Sequence, residues 1–212
     1  MVPARHTPIV FVVDDDLSVR EALTSMIEYA GLKVESFPSA GRFLIRPRTL
    51  TPSCLVLDVD LPDLNGLDLQ NLLASERRNM PIIFITGCGD IPMSVRAMKG
   101  GAVEFLTKPF DDEVLLQAIY QALERSGTVV DEETELRALR AAHASLTQRE
   151  QDVMALVVAG LLNKQVGGVL GISEVTVKAH RGQVMRKMNA RSLAELVIIA
   201  TRLRLPSGAQ PA

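Results

Sequence analysis

Four short apolar runs in the first half of the chain each lead to residues that could do chemistry. Ile9–Val13 leads into Asp14-Asp15-Asp16, and Leu55–Leu57 into Asp58 and then Asp60. Ile82–Ile85 leads into Thr86-Gly87, and Val103–Leu106 is followed closely by Lys108-Pro109. If these runs are neighbouring strands of one sheet, their ends bring carboxylates, a hydroxyl and an ammonium to a single edge. Carboxylates gathered so closely repel one another unless a cation intervenes. Hard oxygen ligands favour Mg²⁺, which keeps some waters and readily bridges to phosphoryl oxygens. One carboxylate there can serve as a nucleophile, as aspartyl-phosphate chemistry requires. A lysine and a hydroxyl beside it suit the oxygens of a transferred phosphoryl group.

The runs themselves are rich in β-branched residues and lack clean period-two alternation, the pattern of strands buried on both faces. Lys33–Phe37 supplies a fifth. Helical spacing fills the intervals. Residues Ser18 to Ala30 carry Val19, Leu23, Met26 and Ile27 and stop at Gly31. Leu67 to Ala74 and Pro92 to Lys99 follow, the latter capped by Asp90 and closed by Gly100-Gly101. Asp111 caps a last helix through Leu115, Leu116, Ile119 and Leu123. Strands alternating with helices predict a doubly wound, parallel, five-stranded α/β sheet of flavodoxin-like type.

Ser126-Gly127 interrupts this pattern. Asp131 to Ala144 is polar and helix-prone, with Leu136, Leu139 and Leu146 on one side, and reads as a solvated linker helix or a short dimerising coil. No strand signal remains from Thr147 onward. Thr147-Gln148-Arg149-Glu150 has the form of a capping box, and an apolar helix runs from it to Gly160. Further helices start near Asn163, Glu174 and Ser192, with a tight turn at Gly171-Ile172-Ser173. Four short helices make a small all-α module.

The net charge of −2 conceals an asymmetry. Residues 1–122 hold 11 basic and 16 acidic side chains, whereas residues 146–212 hold 9 and 4. Different partners for the two halves follow, with nucleic acid a candidate for the second. The two cysteines, Cys54 and Cys88, lack metal-ligand spacing and read as reduced, buried thiols. Arg5 is not followed by an apolar stretch, so no signal peptide is expected. No apolar run approaches the roughly 20 residues of a membrane span. The expectation is a cytoplasmic protein with no membrane association.

The strand-end residues, taken in order, resemble the receiver domain of two-component systems over the whole front half. The stretch IFITGCGDIPMSVRAMKGGAVEFLTKPF, residues 83–110, resembles the FixJ-type regulators in particular. Cys88 and Gly100 depart from that pattern, which commonly has His and Ala there. The resemblance implies that Asp58 accepts a phosphoryl group from a sensor histidine kinase. It implies Mg²⁺ bound by Asp14, Asp15, Asp58 and the backbone carbonyl of Asp60. Thr86 and Lys108 would contact the phosphoryl oxygens, with Thr86 and Phe105 as switch residues.

Residues 146–200 resemble the LuxR/FixJ-type helix-turn-helix in the stretches LTQRE, AGLLNKQV, LGISEVTVKAHRGQVMRKM and NARSLAEL. Asn163 to Leu170 is then the scaffold, Ser173 caps the recognition helix, and Val177, Val184 and Met188 form its inner face. The DNA contacts implied are Lys164, Thr176, Lys178 and Arg181, with Arg186 and Lys187 further along. His180 reads equally as a phosphate contact or a structural side chain. Gly167, Gly168 and Gly182 depart from the family pattern, and each costs a helix about 1 kcal/mol against Ala.

The expected organisation is a receiver over residues 1–123, a linker helix over 124–145 and a LuxR-type domain over 146–212. Such a protein is a transcription factor rather than an enzyme, with promoter DNA as target and a homodimer as its phosphorylated form. A rival reading starts from Asp58-Val59-Asp60, which resembles the haloacid-dehalogenase phosphatases. Pro62 stands where that family expects Thr or Val, and its motif normally closes the first strand, a place taken here by Asp14-Asp15.

Overall fold

The computed structural model describes residues 7–47, 50–76 and 80–205. The outer limits of the expected domains, residues 1 and 212, lie outside them, as does Arg5. The first unit alternates β1 (Ile9–Val13), α1 (Leu17–Tyr29), β2 (Lys33–Phe37), α2 (Ala40–Leu44) and β3 (Ser53–Asp58). It continues through α3 (Gly66–Glu76), β4 (Ile82–Thr86), α4 (Ile91–Lys99), β5 (Glu104–Thr107) and α5 (Asp112–Ala144). All strand pairs are parallel and the order is β2-β1-β3-β4-β5. The order reverses between β1 and β3, so the crevice beyond their carboxyl ends is where such a sheet binds ligands.

β1, β3 and β4 are buried along their whole length. Their side chains alternate between two cores. Phe11, Val13, Leu55, Leu57 and Phe84 pack with Leu69, Leu73 and Ala97 of α3 and α4. Val10, Val12, Val56, Ile83 and Ile85 pack with Leu23, Ile27, Leu115 and Ile119 of α1 and α5. Two-sided burial is why alternation is missing from the sequence. Cys54 joins the second core, and burial pushes its thiol far above the ordinary range. Cys88 is exposed, against the expectation of burial, because it lies in the loop beyond β4 rather than in a strand.

Two elements differ from the sequence reading. The five-residue α2 was not anticipated; Ser39 caps it, and Asp63 accepts from the amides of Ala40 and Gly41. The expected break at Ser126-Gly127 is absent, and α5 is one helix of 33 residues. The cost of one internal glycine is about 1 kcal/mol, which local anchoring offsets. Ser126 is buried and its hydroxyl accepts the Ser53 amide at 2.9 Å, tying this turn of α5 to the start of β3.

The chain divides into two compact units at Asp131/Glu132, within α5. The second unit adds α6 (Gln148–Val158), α7 (Asn163–Leu170), α8 (Glu174–Lys187) and α9 (Leu193–Arg202). The expected capping box is formed, with Thr147 and Glu150 satisfying each other's backbone amides. Leu146, Met154, Val184, Met188, Leu196 and Ile199 form its main core, with Leu139 and Ala142 of α5 against it. Among the described residues, no helix is long and apolar enough to cross a membrane.

Candidate functional site

At the carboxyl edge of the sheet, Asp14 is fully buried and Asp58 nearly so, while Asp15 is exposed. Parallel pairing in register is what brings β1, β3, β4 and β5 to a common end. One carboxylate oxygen from each of Asp14, Asp15 and Asp58 lies within 4.8 Å of the others, the only such cluster among the described residues. Lys108 reaches in from beyond β5 and donates to Asp14 Oδ2 at 2.7 Å and to Asp58 Oδ2 at 2.6 Å. Its backbone amide donates to the Thr86 carbonyl at 2.7 Å, which fixes where that stem begins.

Burial raises the Asp14 carboxyl above its usual value, against the pull of Lys108 and the Asp16 amide. Burial alone would lower Lys108, but its bonds to the two carboxylates prevail and hold the ammonium above its ordinary range. The charges are unequal. Three carboxylates face one ammonium, and the remaining two negative charges are the balance a divalent cation supplies. The donors are all oxygen, as Mg²⁺ prefers. Asp14, Asp15 and Asp58 therefore fit as the residues that would hold it.

Backbone bonds brace the carboxylates further. Asp14 Oδ1 accepts the Asp16 amide at 2.9 Å, and Asp58 Oδ1 accepts the Asp60 amide at 3.0 Å. Thr86 is buried at the end of β4; its hydroxyl donates to Asp60 Oδ2 at 3.2 Å and accepts the Cys88 amide at 3.1 Å. Asp60 thus meets Thr86 through its side chain, a contact not foreseen for a residue expected to offer its carbonyl. Phe105 is partly buried, its ring 6.2 Å from that of Phe84.

Two supporting residues escaped sequence reasoning. Arg20 donates to the carbonyls of Asp14 and Asp15 at 2.8 and 2.9 Å, bracing the loop that carries both carboxylates. Its only signal is a cation in the first helix turns after an acidic run. Gly66 opens α3 directly against Asp58: a Cβ there would lie 2.6 Å from the Asp58 carbonyl oxygen and 3.0 Å from Val59 Cα. Asn65-Gly66 carries no mark of this in the sequence beyond the glycine itself. The departure at Gly100 also has a packing reason, since a Cβ there would strike the Gln70 amide group, which donates to the Ala97 carbonyl.

In the second unit, Gly171 takes the left-handed conformation expected of the turn, and Ser173 caps α8. Val177, Val184 and Met188 are buried as expected. Lys164, Lys178 and Arg186 are exposed, with Lys178 paired to Glu174 at 3.0 Å. Thr176 shares a 2.8 Å hydrogen bond with Ser173, and His180 is half-buried. Arg181 turns back to Asn163 of α7 at 3.2 Å, off the outward stripe.

Lys187, expected among the DNA contacts, is engaged within its own unit. Its ammonium donates to Glu150 Oε2 at 2.7 Å and to the Ser145 carbonyl at 3.1 Å. It flanks buried Val184 and Met188 on α8, so it faces α6 rather than open solvent. Bonding to Lys187 holds the Glu150 carboxyl below its usual range. Gly167 also differs from its reading as a weak point. A Cβ there would lie 2.7 Å from the Ile172 carbonyl oxygen, so the close crossing of α7 and the turn excludes a side chain. Gly168 and Gly182 face open space.

Comparison with known proteins accords with this geometry. The family model of the response regulator receiver domain matches residues 10–120, and that of bacterial regulatory proteins, luxR family, matches residues 144–200. Nodulation protein W of Bradyrhizobium diazoefficiens is 52% identical over 195 residues, 92% of this chain and 86% of that protein. Transcriptional regulatory protein FixJ of Azorhizobium caulinodans is 42% identical over 203 residues, 96% of this chain and 94% of that one. The solved structure of response regulator StyR is 48% identical, with a TM-score of 0.83 over 92% of this chain and 99% of that one. Full-length FixJ from B. japonicum is 38% identical, with a TM-score of 0.55 over 94% and 98%. The chain belongs to the response regulators that join a receiver domain to a LuxR-type DNA-binding domain.

Proposed function

We propose that Asp58 takes a phosphoryl group from the phosphohistidine of a sensor kinase, and that this controls binding of residues 146–212 to promoter DNA. The observation that carries the reading is Lys108, bonded at once to buried Asp14 and to Asp58. An Asp58 carboxylate oxygen forms the new bond to phosphorus as the phosphorus–nitrogen bond breaks, and the imidazole leaves with the electron pair. Asp14, Asp15 and Asp58, with the Asp60 carbonyl, would hold Mg²⁺, which when bound would screen the charge of the incoming phosphoryl group. Lys108 offers its ammonium, and Thr86 its hydroxyl, to the phosphoryl oxygens. Thr86 leaving Asp60 for that role lets Phe105 move inward and alters the surface of α4 and β5, a two-state element set by a local charge. The product is a phosphoprotein that binds DNA as a homodimer, in the cytoplasm, with residues 124–145 as connector and no turnover of a free substrate.

Incubation with Mg²⁺ and acetyl phosphate, followed by mapping of the adduct, tests the acceptor. An Asp58→Asn chain that labels like wild type overturns the assignment. Operator affinity and sedimentation with and without phosphorylation test the coupling, which at roughly 1–3 kcal/mol tightens binding about five- to 150-fold. Measurable turnover of a generic phosphate ester would favour the phosphatase reading instead.

A further inference from the structure

The buried residues Val177 and Val184 define the inner side of α8. At about 100° per residue, the opposite side runs through Val175, Ala179, Gly182 and Arg186. All four are exposed. The first two turns of this outward stripe therefore hold no side chain able to donate or accept a hydrogen bond. Val175 is 76% exposed, a large apolar group that the core does not use. Ala179 and Gly182 project so little that the helix backbone can approach a groove floor closely. Lys178, paired to Glu174 in the free chain, and Gln183 flank the stripe, and Lys164 is exposed on α7, so cations able to exchange onto phosphates stand beside it.

We propose that Val175 reads the 5-methyl group of a thymine in the major groove, so that apolar contact rather than hydrogen bonding sets base preference at the start of α8. The inference rests on the DNA-binding reading above. The chemistry is direct: in the major groove only thymine, among unmodified bases, presents a methyl group, and an aliphatic side chain against it removes both from water. Hydrogen-bonded readout falls to the flanks, at Lys178 and Gln183. Burying one methyl group is worth about fourfold in affinity.

The test uses the full chain, phosphorylated with acetyl phosphate and Mg²⁺, and duplexes selected by it from a randomised pool. Each thymine of the selected duplex is replaced in turn by deoxyuridine, which lacks only the methyl. Wild type should lose about fourfold at one thymine of each half-site. Val175→Ala should bind the thymine duplex more weakly by a similar factor and be indifferent to the uracil at that position, while Val175→Ile keeps the sensitivity. Val175 is exposed, so these variants leave the fold intact. Uracil tolerated at every position, or a Val175→Ala chain as sensitive as wild type, overturns the inference while leaving DNA binding standing. A chain that enriches no duplex overturns the DNA-binding reading, and this inference with it.

Discussion

The strand-end site of the receiver and the outward face of α8 are built on opposite plans. Lys108 joins Asp14 across 94 positions of chain and Asp58 across 50, and both carboxylates are buried. On α8 the exposed Lys178 pairs with Glu174, one turn away. The difference follows from what each must meet. A small anionic group entering a fixed pocket gains most when the charges around it are already positioned. A long polyanion is met by cations on mobile stems, whose exposed ion pairs are worth little and are easily exchanged for phosphates.

The sharpest way to break this contrast is to remove the receiver's central cation. Lys108→Met leaves buried Asp14 beside Asp58 without a counter-ion, and should destabilise the first unit by about 2–3 kcal/mol, somewhat below the cost of stranding a fully buried charge. Urea unfolding followed by exchange of β1 and β3 amides checks it; an unchanged midpoint would mean the site is not held together by Lys108. Next in size is a substitution in the second unit that touches no charge. Gly167→Ala should destabilise α7 and α8 by about 2 kcal/mol through overlap with Ile172, whereas Gly168→Ala should stabilise them by up to about 1 kcal/mol. Equal effects on amide protection at the two positions would refute the close approach.

Lys178→Ala should leave stability unaltered and either cost on the order of 1–3 kcal/mol of operator affinity or lower the salt slope by about one. A loss of stability there would show that α8's outward face is structural after all. The smallest effect is one of pH. Glu150 is depressed in the folded state by Lys187, so its contribution is complete above the unfolded carboxyl value and lost as pH falls through the lower, folded one. Glu150→Gln can keep the bond to the Thr147 amide but loses the ion pair, so the acid side of its stability curve, read by circular dichroism below about pH 5, should be flatter than wild type's. Parallel curves would remove Lys187 from that role.

Most of what the strand-end site needs was legible because it follows from order along the chain. A buried strand, then a carboxylate, repeated with a hydroxyl and a lysine, requires only parallel pairing to converge. The caps Asp90, Thr147 and Ser173 were readable, since a cap acts within three residues. What escaped depends on distance in space. Ser126 marked a break by local propensity, yet Ser53 holds it in the helix. Lys187 was read as a DNA contact, with no local sign of its bond to Glu150. Arg181 was read as a DNA contact, with no local sign of its bond to Asn163. Gly66 drew no attention and Gly167 read as a defect, because nothing local announces that another strand or turn passes within 3 Å.

The paired glycines of α7 carry a consequence for heredity. Every single-base missense change in a glycine codon installs a Cβ, so every replacement on either neighbouring codon's menu brings one, whatever its third base. At position 167 the whole menu collides with the Ile172 carbonyl, while at position 168 it opens onto solvent. Adjacent glycines should therefore tolerate very different shares of their possible replacements. A saturation library screened for operator binding would find one codon nearly silent to variation and its neighbour permissive.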